Sequence, residues 1–435
     1  MRNRIVVTLA GGLLAAACTA AEQQAPQPSP AADEGLTAFV GARIIDGTGR
    51  SPIPVAVMLV RDGRIEAIGT GMEVPIPAGA ERVDLRDRTV FPGLINTHGH
   101  VGDTAGLEGG HYSEQNVLDH LALYARYGIT TVNSLGGDQA LAAGVRAAES
   151  SPVMARARLM FAGPVVNGST PEEITARVNE IAAMSPDFIK IRVDDNLGNS
   201  AKMAPAVYSA AIEAAHGNGL RLASHLFYLE DAKALLAAGT DFVAHSVRDQ
   251  PVDDELIGML IENDVCYCPT LTREISTFVY EERPEFFDDP FFLAEADPDV
   301  VATLEDPARQ RRYRGAGPTA YKEALQVALA NLKAVSDGGA TVAMGTDSGP
   351  PARFQGYFEH LELELMAEAG MTPMQILVAS TGDAARCLGL EDIGTLGPGK
   401  VADFVVTTAN PLDDITNTRT IESVWISGNR VPRND

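Results

Sequence analysis

The chain has 435 residues, 45% hydrophobic and 21% charged, the mix of a globular protein with an ample core. That length exceeds an ordinary domain and suits a large α/β barrel with an accessory domain. The formal charge of −24, from 34 basic and 58 acidic residues, argues against nucleic acid, because phosphate binding needs clustered Lys and Arg.

The chain opens with "MRNRIVVTLAGGLLAAAC", which places Arg2 and Arg4 before a short apolar stretch that ends at Cys18. The stretch is too short to span a bilayer and reads as a signal peptide over residues 1–18. Small residues before Cys18 resemble the lipobox of bacterial lipoproteins, so a lipid anchor at Cys18 is expected, with ordinary secretion as the alternative. Thr19 suits an outer-membrane destination, and the expected location is periplasmic or outer-membrane-anchored. Residues 19–35, rich in Pro, Ala and Gln, are expected to form a disordered tether. Three further cysteines remain, Cys266, Cys268 and Cys387. An odd number argues against a disulfide framework, so Cys266 and Cys268, on one face of an apparent strand, are expected to be core residues.

Residues 36–90 alternate β-rich runs with Asp-Gly and Gly turns, the pattern of hairpins. A similar block closes the chain over residues 391–433, and the two are expected to form one small composite β-sandwich. Between them, over residues 91–390, short apolar runs alternate with helix-like segments. The runs are "PGLINTH", "GITTVNSL", "ARLMFAGPVV", "DFIKIRV", "GLRLASHL", "TDFVAHS", "VCYCPTLT" and "GATVAMGTDSG". This α/β alternation predicts a (β/α)₈ TIM barrel. A doubly wound open sheet is the alternative, but the first βα turn lacks a dinucleotide-type glycine fingerprint. The long link after the seventh run is rich in Phe, Tyr, Asp and Glu and is expected to be a functional lid.

Six ionisable residues sit in or just after these runs. His98 and His100 close the first, at i and i+2, where both face one way. Lys190 interrupts "FIKIRV", His225 ends "RLASH", His245 ends "FVAH" and Asp347 follows "VAMGT". Each alone has an ordinary reading: a hydrogen-bonded core histidine, a snorkelling lysine, a turn aspartate. Together they gather where barrel strands end and catalytic groups collect, and a metal pair removes the cost of burying them.

On these residues the sequence resembles the amidohydrolase superfamily. The carrying motifs are "PGLINTHGH", Lys190, His225, His245 and "GTDSG" with Asp347, followed by "GKVADFVV" and "NPL". The resemblance implies that His98, His100 and Asp347 hold the more buried of two divalent ions. His225 and His245 would hold the other, and Lys190, carbamylated by CO₂, would bridge both. Zinc suits these ligands. Two metals about 3.5–4 Å apart would activate water and polarise a carbonyl, with Asp347 as general base and then acid.

The stretch "GMTPMQILVASTGDAARCLGLEDIGTLGPGKVADFVV" is most similar to the prolidase-like subgroup, with imidazolonepropionase as a relative. That implies hydrolysis of a C–N bond in a dipeptide or N-acyl amino acid. A lactonase or phosphotriesterase with the same metal pair is the alternative. A non-catalytic binding protein on this fold would be expected to have lost ligands. Tyr228, three residues past His225, is expected either to hydrogen-bond a tetrahedral intermediate or to pack in its loop. Arg192, Arg248 and Arg353 are candidate anchors for a substrate carboxylate, with solvated arginines as the plain alternative, and His111 is a candidate pocket residue. His120, His216 and His360 read as surface or packing residues. A homo-oligomer stays open.

Overall fold

The computed structural model describes Met1, residues 35–150 and residues 154–432; the expected signal segment with Cys18, and the tether up to residue 34, lie outside the described residues. The chain enters through β1 (Leu36–Val40), β2 (Arg43–Ile44), β3 (Ala56–Arg61), β4 (Arg64–Thr70), β5 (Glu81–Asp84) and β6 (Thr89–Pro92). Asp62 and Gly63, both at positive φ, close the β3–β4 hairpin, as a two-residue turn between right-twisted strands requires.

Next come β7 (Leu94–Gly99), β8 (Ile129–Ser134), β9 (Arg158–Phe161), β10 (Phe188–Arg192), β11 (Arg221–His225), β12 (Phe242–Ala244) and β13 (Cys266–Cys268). Helices join most of these strands. The helix Glu114–Arg126 is representative: the Ser113 side chain caps it, and Val117, Leu121 and Tyr124 bury one face against the sheet. The chain closes with β14 (Phe404–Thr407), β15 (Ile421–Ile426) and β16 (Asn429–Arg430).

The middle strands pair in parallel and in chain order, as a three-stranded sheet β7-β8-β9 and a four-stranded sheet β10-β11-β12-β13. Isolated parallel bridges continue the pairing at Val166–Ile191, Tyr267–Val342 and Gly99–Ser348. Residues 342–348, expected as an eighth strand, therefore lie between β13 and β7 but form no regular strand. Gly345 and the positive φ of Asp347 (57°) interrupt them. A Cβ at Gly345 would fall 2.5 Å from Cys268 Sγ and 2.9 Å from His98 Cβ, so glycine allows this segment to approach β7 and β13.

The two ends of the chain share a second layer. One sheet runs β4-β3-β1-β5; the other runs β16-β15-β14-β6-β2 and so mixes strands from both termini. Phe39 of the first meets Phe404 and Trp425 of the second edge-on, with ring centroids 5.0 and 4.9 Å away. Val60, Met58, Val90 and Val406 belong to the same core.

The expectation for the cysteines changes. Cys266 and Cys387, 121 residues apart, form a disulfide, which leaves Cys268 buried as a free thiol among the described residues. Counting cysteines misled here, because one pair and a buried third residue satisfy an odd number. The long link after β13, expected as a lid, is built of short helices. It folds into the helices Leu271–Ile275, Pro290–Leu293, Pro298–Glu305 and Pro307–Gln310 before the long helix Ala316–Asp337. Its buried Phe287 and Phe292 stack, and Phe292 packs against Phe354 and Tyr357, fastening it to the segment after Asp347.

Candidate metal centre

The strands deliver their polar ends to one cavity of about 210 Å³, lined by His98, His100, Lys190, His225, His245 and Asp347 together with Arg192, Arg273 and Arg353. His98 is the next-to-last residue of β7 and His100 follows the strand; Ser348 O accepts the His100 N–H, and His98 O accepts the Asp347 N–H at 2.6 Å. These backbone bonds draw together residues some 250 positions apart in sequence: His98, His100 and Asp347 offer ligand atoms that all lie within 4.8 Å of one another. Lys190 stands mid-strand between the buried Ile189 and Ile191, its Nζ 3.5 Å from His98 Nε2. The His98 and His245 ring centroids are 4.7 Å apart, and those of His225 and His245 are 4.1 Å apart.

Partners outside the cavity fix which ring nitrogen faces in. His100 Nδ1 donates to the Gly136 carbonyl at 2.8 Å. His225 Nε2 donates to Asp194 Oδ2 at 2.8 Å, and His245 Nδ1 lies 2.6 Å from Thr270 Oγ1. In each case the second nitrogen is left for another partner, the arrangement that orients metal-binding imidazoles. His98 Nδ1 is buried with no hydrogen-bond partner, and its Nε2 sits 3.7 Å from Asp347 Oδ1.

The donor set calls for a cation. With its Nδ1–H committed to Gly136, a neutral His100 turns a lone pair toward Asp347 Oδ1 at 2.7 Å. Two acceptors at that distance repel unless a proton or a metal ion lies between them. Burial pushes the imidazolium forms of His98 and His245 well below the usual histidine range, and His225 down to about 3 despite Asp194. All three therefore present neutral imidazole, the form that binds metal. Burial likewise lowers the Lys190 ammonium to about 7. Burial would raise the Asp347 carboxyl, but the Arg353 guanidinium beside it outweighs that and holds the group ionised. The residues present fit a divalent metal.

The other expected residues scatter. Arg192 lines the cavity and donates to Asp194 at 2.9 Å. Arg353 lines it too, but its guanidinium is committed to Asp347 Oδ2 at 2.5 Å and to Ser276 Oγ at 3.0 Å. Arg248 is buried outside the cavity lining, where it donates to the Leu226 and Ser246 carbonyls, pairs with Glu274 and covers the Phe227 ring. Its role as a carboxylate anchor is corrected: it ties together the loops after β11 and β12. Tyr228 donates its hydroxyl to Asp195 at 2.7 Å beneath Lys202, and His111 is exposed; neither lines the cavity. Sequence reasoning missed Asp194, two residues past the recognised Arg192, and Arg273, which lies in the helix Leu271–Ile275 after β13 with no recognised neighbour. His120 lines a neighbouring cavity of about 250 Å³, which shares Arg353 and lacks a comparable ligand set.

The amidohydrolase family pattern matches residues 89–431, and the chain belongs to that family of hydrolases, whose members generally use divalent metals. An imidazolonepropionase from Streptomyces griseus subsp. griseus is 25% identical over 418 residues, covering 89% of this chain and 95% of that protein. An uncharacterised protein of Mycobacterium tuberculosis (H37Rv) is 26% identical over 349 residues, 78% of this chain and 83% of its own. A crystal structure described as a Xaa-Pro dipeptidase with bound methionine in the active site superposes with a TM-score of 0.74. At 22% identity, over 92% of this chain and all of that one, the likeness is one of fold.

Proposed function

We propose that this protein is an exported, binuclear metal-dependent amidohydrolase that cleaves the C–N bond of a dipeptide or N-acyl amino acid. The observation that carries the reading is one cavity in which four inward-turned histidines, Lys190 and Asp347 stand beside Arg192 and Arg273. The two parallel sheets and their linking bridges are read as one (β/α)₈ barrel over residues 91–390, and the end sheets as a sandwich of residues 36–90 and 391–433. His98, His100 and Asp347 would hold one zinc ion, and His225 and His245 the other. Lys190, as its carbamate, would join them, since a free amine has one lone pair and the carbamate offers two anionic oxygens.

Bound there, the metals would supply an acidified water (pKa from about 15.7 to about 7) and a polarised carbonyl. Asp347, its Oδ2 held by Arg353 and its Oδ1 facing the histidines, takes the proton from the attacking water and returns it to the leaving nitrogen. Water adds as hydroxyl to the carbonyl carbon and as a proton to nitrogen as the C–N bond breaks. Arg192 and Arg273 bind the carboxylate of the departing amino acid, a pairing suited to guanidinium. The Cys266–Cys387 disulfide supports export, because such bonds persist in oxidising compartments.

The test combines elemental analysis with side-by-side assays of N-acyl amino acids, their C-terminal amides, dipeptides, a lactone and paraoxon. About two zinc ions per chain and turnover confined to free-carboxylate amides are expected. A metal-free chain, or turnover of only the lactone or paraoxon, would reject the reading.

A further inference from the structure

The helix Tyr357–Glu368, which follows Asp347 in the chain, carries two fully buried carboxylates one turn apart, Glu359 and Glu362. Side chains at i and i+3 share a helix face. Glu359 Oε1 accepts from Asn96 Nδ2, Thr346 Oγ1 and Ser348 Oγ, each at 2.6 Å, and its Oε2 accepts from Gly356 N at 2.6 Å. Glu362 accepts from Leu271 N, Thr272 N and Thr272 Oγ1, each at 2.8 Å. Every one of these donors is neutral. Burying carboxyl groups is costly, and burial raises Glu359 and pushes Glu362 up to about 8, so retaining both calls for a use of their lone pairs.

That use lies at the far ends of the bonds. Thr346 and Ser348 flank Asp347, whose φ of 57° is a left-handed conformation that an L residue holds only when its surroundings over-determine it. Asn96 Oδ1 in turn accepts from His98 N at 3.0 Å, and Ser348 O accepts from His100 N at 2.8 Å. Glu359 therefore reaches the backbone of all three members of the His98–His100–Asp347 group. Glu362 seizes the two residues after Thr270, which is also left-handed (φ 48°) and whose hydroxyl meets His245 Nδ1. Thr272 Oγ1 lies 3.0 Å from Thr346 O as well, so the two arms are tied together.

We propose that Glu359 and Glu362 are positioning residues. Glu359 sets the geometry of the His98–His100–Asp347 half of the site, and Glu362 sets His245 through Thr270, so this helix controls metal affinity without supplying a ligand. The proposal rests on the metal reading above and adds the residues that hold the ligands in register.

The experiment compares the full-length protein with Glu359→Gln, Glu362→Gln and His360→Gln. Zinc affinity is measured against a chromophoric chelator, the visible spectrum after Co²⁺ substitution, and melting on the metal-free forms. His360 is buried on the same helix but bonds Thr418 and the Tyr127 carbonyl, so it reports the cost of damaging the helix alone. Glu359→Gln is expected to weaken zinc binding about 10–100-fold, the usual effect of losing an outer support, and to shift the Co²⁺ bands. Glu362→Gln should act in the same direction on the second equivalent, and His360→Gln should lower melting without moving affinity or spectrum. Unchanged affinity and spectrum in Glu359→Gln, or an equal loss in His360→Gln, would overturn the proposal while leaving the metal site intact. Should Glu359→Gln fail to fold, Ser348→Ala removes a single arm, and unaltered zinc affinity there would overturn it equally. A wild-type chain that binds no zinc would instead remove the metal reading, and the positioning role with it.

Discussion

The two halves of the site are assembled by different means. His98, His100 and Asp347 come from segments some 250 residues apart, are laced together through the backbone, and bring their own carboxylate. His225 ends β11 and His245 follows the neighbouring parallel strand β12, and the cavity lining offers them no carboxylate but Asp347. Their order comes from behind, through Asp194 and Thr270. The first half can neutralise part of a cation's charge unaided. In the proposed two-metal reading the second would borrow charge, which Lys190, near His98 in the same cavity, would lend as a carbamate.

That contrast can be broken by substitution. Asp347→Asn removes the charge of the first half and the proton carrier together. It should lower kcat about 10²–10⁴-fold and cost one metal per chain, as read by initial rates and elemental analysis. Retention of both metals with near-normal rates would dissolve the distinction. Asp194→Asn should sharpen it: loosening His225 is expected to cost about 10–100-fold in activity and in affinity for the second metal only. Loss of the first equivalent instead would show that the halves are not separately supported.

The smallest effect on activity is expected at His360, outside both halves. Burial holds its imidazolium down to about 3, whereas an unfolded histidine titrates near 6.5. The unfolded chain therefore binds more protons between those values, so this contribution to stability is present above about pH 6.5 and lost as the pH falls toward 3. Melting curves across that window should slope less in His360→Gln than in the wild type, with turnover at neutral pH little altered.

Much of the site was legible in the letters because parallel strands buried on both faces report their own ends. An ionisable residue closing an apolar run, as at His225 or His245, has few other reasons to be there. The outer supports gave no such signal. Asp194 looks like any turn aspartate, and Glu359 and Glu362 sit in "YFEHLELELM", where alternating carboxylates pass for a solvated helix face. Arg248 and Arg353 read alike from sequence, yet one is a buried strut and the other grips Asp347. The Cys266–Cys387 bond escaped because pairing depends on a distance between β13 and a helix 121 residues later.

From sequence alone came the alternation of strand and helix, the six residues facing one rim, and hence the class of chemistry. Those are set by local periodicity and by the cost of burying charge, both of which act along the chain. Which nitrogen of each histidine turns inward, which arginines line the cavity, and what holds Asp347 in a left-handed backbone conformation were decided only in three dimensions. Each depends on hydrogen bonds between segments far apart in sequence, and the geometry of such bonds exists only after the chain has packed.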